Sequence, residues 1–309
     1  MTPEGPRYLR LSVTHRCDLK CVYCHPERLR AHGEEFSPRE LRLLVECAAA
    51  QGVEKVRLTG GEPLQRGDLG EIIRAVSSVP GIRETTLTTN GVGLATRARR
   101  LRRAGLDRVN VSLDSLREDR FARITGRDAL PRVLEGIEAA AAAFPLVKVN
   151  TVLLAGRNED EVCDFVRFGG RTGVRVRFIE FYGKCDAATG AGTVSAEEVG
   201  ARLEDEFGPM ERLAGDDLSV EELYRAGGAT VGLVRSLTAP PCPVCSKLRF
   251  TSAGELLPCL FAETGVRIGQ WLREGRRAEI RRAIRRVYDT KTREGPRGRR
   301  VECAREIGG

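Results

Sequence analysis

Three cysteines fall within Cys17-Asp18-Leu19-Lys20-Cys21-Val22-Tyr23-Cys24. They follow directly on an apolar run, Leu9-Arg10-Leu11-Ser12-Val13, that reads as a strand. Thiolates are soft donors that favour soft metals and iron–sulfur clusters over hard cations. Three is one fewer than the four ligands of a closed structural zinc site or an ordinary cluster. The loop therefore predicts a metal centre with one coordination position open, and open positions are where chemistry occurs. Downstream, Cys242-Pro243-Val244-Cys245 and Cys259 form a second set of three. Zinc is the other reading of each set, with His15 or His25 completing the first and Cys303 the second. The spacing of Cys17 and Cys21 fits paired CxxC zinc ligation poorly.

These thiols sit in a chain of 309 residues, 41% hydrophobic and 30% charged, which suits a globular protein with a sizeable core. No apolar run approaches the ~18 residues of a membrane span. The stretch Met1 to Arg7 lacks the basic-then-apolar order of a signal peptide, so a cytoplasmic location is expected. In that reducing compartment the ten cysteines read as ligands or buried thiols and not as disulfides. Cys47 and Cys163 fall in helical patterns and read as small core residues; Cys185 and Cys303 carry no assignment. The net charge is +8, with much of the excess between Arg273 and Arg300. That excess reads as a solvated helix face and an Arg-rich loop, or as attraction for a polyanion such as a nucleoside triphosphate. Aromatic residues are only 5% and scarcely interleave with the basic ones, which argues against single-stranded nucleic acid as the partner.

The elements that must position these groups alternate. Strands are expected at Lys55–Leu58, Glu84–Thr89, Arg108–Ser112, Val147–Leu154 and Val174–Phe181, in addition to the first. Helices are expected from Pro38 to about Gln51, Asp68–Val79, Leu94–Ala104, Leu130–Ala143 and Asp160–Phe168. Ser37-Pro38-Arg39-Glu40 and Ser195-Ala196-Glu197-Glu198 have the composition of capping boxes. About six strand–helix alternations predict an α/β fold with parallel strands and crossover helices, for which a closed or partly closed barrel is more economical than an open sheet. With the two thiol sets, the architecture expected is a partial parallel (β/α)6 TIM-like barrel followed by a C-terminal iron–sulfur module. The boundary is expected at 194/195, giving units 1–194 and 195–309. In such barrels the chemistry lies at the C-terminal ends of the strands. The cysteine loop, Gly60-Gly61-Glu62-Pro63 and Thr88-Thr89-Asn90-Gly91 follow the first three strands in turn.

The pattern Cys17-x-x-x-Cys21-x-x-Cys24 with Tyr23, followed by Gly60-Gly61-Glu62-Pro63, resembles the signature of the radical S-adenosylmethionine superfamily. The resemblance implies a 4Fe–4S cluster whose open iron binds S-adenosylmethionine and cleaves it to a 5′-deoxyadenosyl radical, the cofactor doing the hard chemistry. The segment from Cys242 to Thr251, with Gly254 and Pro258-Cys259-Leu260-Phe261, narrows this. It is similar to the second-cluster region of the GTP 3′,8-cyclase family, which performs the first step of molybdenum cofactor biosynthesis. Gly105 to Leu116, Arg177 to Phe181 and the closing Glu306-Ile307-Gly308-Gly309 share that resemblance.

Carried over position by position, the resemblance implies two 4Fe–4S clusters, held by Cys17, Cys21 and Cys24 and by Cys242, Cys245 and Cys259. Tyr23, Gly61, Ser112 and Tyr182 match positions that contact S-adenosylmethionine. Arg10, Arg57, Thr88, Lys148, Lys247 and Arg249 match positions that contact GTP. Gly308 and Gly309 match a catalytic tail that enters the active site, where glycine alone would fit. The implied reaction converts GTP to 3′,8-cyclo-7,8-dihydro-GTP, with a flavodoxin- or ferredoxin-like reductant, with neither membrane nor nucleic acid as partner, and with a homodimer allowed. Arg10 and Arg57 alternate into strands, where an interior charge is costly unless an anion accompanies it. Three positions depart from the family: Lys247 stands for an arginine, Tyr182 for a methionine, and His25 for the usual residue after the first motif. Lysine keeps the charge and loses the bidentate fork. The runner-up reading is a divergent relative acting on another nucleotide or a peptide, and the remote one a zinc-bearing basic nucleic-acid-binding protein.

Overall fold

The computed structural model describes residues 5–24, 34–181, 192–215, 221–239, 242–262 and 264–291. Six strands and six helices occupy its first part. They are β1 (Tyr8–Ser12), α1 (Pro38–Ala49), β2 (Lys55–Thr59), α2 (Leu69–Ser77), β3 (Glu84–Thr89), α3 (Ala98–Arg103), β4 (Arg108–Ser112), α4 (Glu118–Thr125), α5 (Leu130–Ala141), β5 (Val147–Ala155), α6 (Val162–Thr172) and β6 (Arg175–Glu180). Then follow β7 (Gly192–Thr193), α7 (Ala196–Phe207), β8 (Glu211–Leu213), β9 (Glu222–Ala226), β10 (Ala229–Val234), β11 (Lys247–Phe250), β12 (Glu255–Leu257), β13 (Val266–Arg267), α8 (Gly269–Arg273) and α9 (Arg277–Asp289).

The strands share one sheet in the order β13-β12-β11-β1-β2-β3-β4-β5-β6-β10-β9-β8, with β7 pairing β5. Strands β1 to β6 run parallel in chain order, as the alternation predicts. Two more parallel strands come from the C-terminal third, β11 beside β1 and β10 beside β6. Antiparallel strands extend both edges. No pairing among the described residues joins the edges, so the sheet is an open, partial barrel.

Alternation along each strand divides the sheet into two faces. Leu9, Leu11, Val56, Leu58, Leu87, Val109, Val111, Val149, Val176 and Phe178 join one core with the apolar sides of the helices. Burying each such side chain contributes about 1.5–3 kcal/mol. The other face is polar and carries the site. Both capping boxes form: Glu40 N–H donates to Ser37 Oγ at 3.3 Å, and Glu198 N–H to Ser195 Oγ at 3.2 Å. One expectation is corrected, and one helix is unforeseen. The helix expected from Leu94 begins at Ala98, because Leu94 N–H turns back to Gly91 O at 3.0 Å. The unexpected α4 buries only Phe121, Ile124 and Thr125, too few residues to announce a period. Among the described residues no helix is long and apolar enough to cross a membrane.

Candidate active site

The first three thiols sit on the loop leaving the C-terminal end of β1, and backbone bonds fix that loop from two sides. Lys20 N–H donates to Thr125 O at 2.8 Å and Val22 N–H to Ile124 O at 2.9 Å, which hangs the loop on the end of α4. Asp18 accepts from Asn90 Nδ2 at 2.7 Å and pairs with Arg127 at 2.8 Å. Cys24 N–H closes the turn on Cys21 O at 2.9 Å. Tyr23 O–H donates to Asp114 Oδ2 at 2.6 Å, and its ring meets Phe181 edge-on at 6.4 Å. Burial, then the nearby Asp114 and the Cys21 and Cys24 thiols, push the Tyr23 hydroxyl well above its ordinary pKa.

The Gly60–Pro63 turn braces the same loop. Gly61 N–H donates to Thr14 O at 2.7 Å and Glu62 N–H to Arg16 O at 2.6 Å. A Cβ at Gly61 would stand 2.2 Å from Arg16 O and 2.6 Å from His15 O. Only glycine permits that approach to the residues entering Cys17. Glu62 then bridges the ends of β2 and β3, accepting from Leu64 N–H at 2.8 Å, Thr89 Oγ1 at 2.7 Å and Asn90 N–H at 2.6 Å. Burial outweighs those donors and raises its pKa to about 7.

The polar face of the sheet is cationic from end to end. The hydrogen-bond register sets Arg249, Arg10, Arg57, Thr86 and Arg108 in successive strands at one level. One step toward the C-terminal ends lie Thr88, Asn110, Lys148 and Arg175. The next step holds Ser112, Asn150 and Arg177. Nearest the N-terminal ends, Lys247, Tyr8 and Lys55 are in register. Lys247 and Arg57 both lie 5.7 Å from the Tyr8 ring centre. Burial lowers the Lys247 pKa to about 7 with help from Arg10, Arg249 and Arg57, against the pull of Cys245. The Tyr8 hydroxyl shows the same field: burial raises its pKa, and Arg57, Arg10, Lys55 and Arg177 more than reverse that.

The second set of thiols is at the opposite mouth. Cys242 and Cys245 precede β11, whose Lys247 is level with Tyr8 at the start of β1, and Arg7 and Tyr8 N–H both donate to Ser246 O. Strand β1 spans five residues, so about 17 Å of cationic sheet separates the two mouths. Burial and then the neighbouring Cys245 and Cys259 raise the Cys242 thiol. Burial also opposes ionisation of Cys245, where Lys291 and Lys247 prevail and leave its pKa below the ordinary value. Lys291 Nζ ties the module together by donating to Lys247 O at 2.9 Å and Pro258 O at 2.7 Å.

None of the six thiols is in a disulfide. Among the described residues no three His, Cys, Asp or Glu side chains converge tightly enough for one metal ion. Thiolates in sets of three suit an iron–sulfur cluster, in which different irons each take one thiolate. The structure thus brings Arg10, Arg57, Lys247 and Arg249 together around Tyr8 and β11. Thr88 and Lys148 flank Asn110 farther across the sheet, and Ser112 lies nearest the first loop. Tyr182, Gly308, Gly309, His25, Cys185 and Cys303 lie outside the described residues. Cys47 is fully buried and Cys163 half-buried, as helix-core residues should be.

Sequence reasoning missed Glu221. Its buried carboxylate pairs with Lys148, with Arg175 at 3.1 Å and with Arg177 at 2.5 Å. Burial raises its pKa, and those three cations overturn that effect and bring it to about 2. Nothing in the local pattern around Glu221 announces this role.

An open parallel sheet with a three-thiol loop at its C-terminal rim, braced by Gly60–Pro63, defines a radical S-adenosylmethionine protein. Residues 11–169 match the Radical SAM superfamily, and residues 174–295 match Molybdenum Cofactor Synthesis C. A protein of Pelotomaculum thermopropionicum named GTP 3′,8-cyclase is 43% identical over 87% of this chain and 85% of its own. GTP 3′,8-cyclase 3 of Mycobacterium tuberculosis is 37% identical over 97% of this chain and 82% of its own. The chain belongs to the GTP 3′,8-cyclase family. Streptococcus suis SuiB bound to S-adenosylmethionine shares the fold, with a TM-score of 0.65 and 16% identity. That match covers 87% of this chain and 64% of SuiB.

Proposed function

We propose that this chain is a GTP 3′,8-cyclase with two 4Fe–4S clusters, one held by Cys17, Cys21 and Cys24 and the other by Cys242, Cys245 and Cys259. The observation that carries the reading is the pair of three-thiol sets at opposite mouths of one cation-lined sheet. Cys17, Cys21 and Cys24 would hold the first cluster, which with S-adenosylmethionine would supply a 5′-deoxyadenosyl radical for removing hydrogen from C3′ of GTP. Joining C3′ to C8 of guanine would then consume one electron from the reductant and one proton at N7, giving the 7,8-dihydro product.

The chain's own residues bind, orient and exclude water. Tyr23, Gly61 and Ser112 line the S-adenosylmethionine side, and Tyr182 is assigned to the same cofactor. The guanine edge faces the second thiol set. Arg10, Arg57, Lys148, Lys247 and Arg249 neutralise the triphosphate through charge-assisted hydrogen bonds, joined by Thr88. Such donors act more strongly in a buried channel than in water, and they are already oriented before substrate arrives. Gly308 and Gly309 are assigned a catalytic role. Residues 1–194 form the radical-generating partial barrel, which also carries Arg10, Arg57, Thr88 and Lys148, and residues 195–309 form the module that carries the second cluster with Lys247 and Arg249. A flavodoxin- or ferredoxin-like donor is the reductant, the protein works in the cytoplasm, and a homodimer is allowed.

Incubating the reconstituted, reduced protein with S-adenosylmethionine and GTP tests the reading. It expects equal amounts of 5′-deoxyadenosine and cyclised nucleotide. Deoxyadenosine without the cyclised product would contradict it.

A further inference from the structure

Asn110 stands at the centre of the polar face on β4, between Thr88 of β3 and Lys148 of β5. It is 1% exposed, yet neither Oδ1 nor Nδ2 has a hydrogen-bond partner among the described residues. Buried polar groups are almost always paired, so an amide with both ends open calls for an explanation. Its neighbours do not supply one. The Lys148 ammonium is engaged by Glu221, and the Thr88 hydroxyl itself has no partner among the described residues.

The chemistry of the face narrows what fits. Phosphate oxygens only accept, and the arginines and lysines provide donors for them. The Asn110 carbonyl is an acceptor and needs a donor from the ligand, while its NH2 can donate to the same group. A hydroxyl both donates and accepts, which matches an amide on both counts. Asn110 also lies two residues, about 7 Å, from Ser112 on the same face of β4. That puts it one level inside the residue assigned to S-adenosylmethionine, and across the sheet from the second thiol set assigned to the base.

We infer that Asn110 is a further substrate-contacting residue, which holds a ribose hydroxyl of the nucleotide and so fixes which sugar hydrogen faces the radical. The inference rests on the GTP reading above. Both GTP and S-adenosylmethionine carry a ribose, and the inference assigns Asn110 to that of GTP.

Anaerobic calorimetry with GTP, 2′-deoxy-GTP, 3′-deoxy-GTP and S-adenosylmethionine, run on the cluster-loaded wild type and on Asn110→Ala, separates the outcomes. The wild type should bind GTP about tenfold more tightly than one deoxy analogue, the weight of one hydrogen bond. Asn110→Ala should bind GTP about tenfold more weakly and no longer distinguish it from that analogue, with S-adenosylmethionine affinity unchanged. Its melting temperature without nucleotide should be unchanged or higher, because it loses an unpaired polar group. Undiminished discrimination, or a loss confined to S-adenosylmethionine, would overturn the inference. So would failure of both Asn110→Ala and Asn110→Ser to fold, since that would show a structural partner. A wild type that binds neither GTP nor its analogues sinks the parent reading instead.

Discussion

Replacing Glu221 with glutamine removes one negative charge from a buried cluster and leaves the side-chain shape almost unchanged. In the wild type the carboxylate neutralises part of the charge on Lys148, Arg175 and Arg177. Its pKa falls from 4.5 to about 2 on folding. At 1.36 kcal/mol per unit that depression corresponds to about 3 kcal/mol of stability. The same order, 3–5 kcal/mol, is typical when one partner of a buried ion pair is removed. For a chain of 309 residues, an unfolding entropy near 2.1 cal/mol/K per residue turns about 3 kcal/mol into roughly 5 °C. Glu221→Gln should therefore melt about 5 °C below the wild type in the absence of nucleotide. A polyanion on the same face restores the missing charge, so GTP should raise the melting temperature of the variant more than that of the wild type. The sign with pH follows from the direction of the shift. A carboxylate with a depressed folded pKa stabilises fully above about 4.5 and loses that contribution as the pH falls toward 2. The gap between variant and wild type should thus be full at neutral pH and shrink only below about 4.5. Anaerobic thermal denaturation with and without GTP measures both. A variant as stable as the wild type without nucleotide would refute the reasoning, because Lys148, Arg175 and Arg177 would then have no need of Glu221.

Gly61→Ala drives a Cβ into Arg16 O and His15 O, so the backbone entering Cys17 must shift at a cost of about 1–3 kcal/mol. Iron content and S-adenosylmethionine affinity should both fall, the latter about tenfold; wild-type values for both would contradict the bracing role. Cys242→Ser should lower iron from about eight to about four per chain, as loss of one of two four-iron clusters requires. Cys47→Ala, fully buried in the helical core, should leave it near eight. Lys247→Arg restores a bidentate fork beside Tyr8 and should tighten GTP binding roughly threefold. Weaker binding would mean that Lys247 does not face the phosphates.

The parts of this site that the sequence announces are those whose chemistry is local. Cys17, Cys21 and Cys24 share one loop, and Ser37 and Glu40 share one helix turn, so spacing alone reveals them. The strands Glu84–Thr89 and Arg108–Ser112 lie where their β-branched runs indicate. Arg10 and Arg57 were legible as interior charges because they interrupt apolar strands at the period of the polar face. What spacing could not show is long-range pairing. The apolar run Val231–Val234 could signal a strand, but not its place beside β6. Leu248-Arg249-Phe250 likewise gives no hint that β11 pairs with β1 and sets the second thiols at the far mouth. Glu221 meets Lys148 across 73 positions, and only the folded sheet brings them together.

The central claim is that the radical made at the first thiol loop acts on the sugar of GTP held along the cationic sheet. Mass spectrometry of 5′-deoxyadenosine formed from S-adenosylmethionine and GTP deuterated at C3′ tests it most directly. The account predicts one deuterium in the deoxyadenosine, together with cyclised nucleotide that has lost it. Deoxyadenosine free of deuterium would show that the radical does not reach C3′ and would contradict the account.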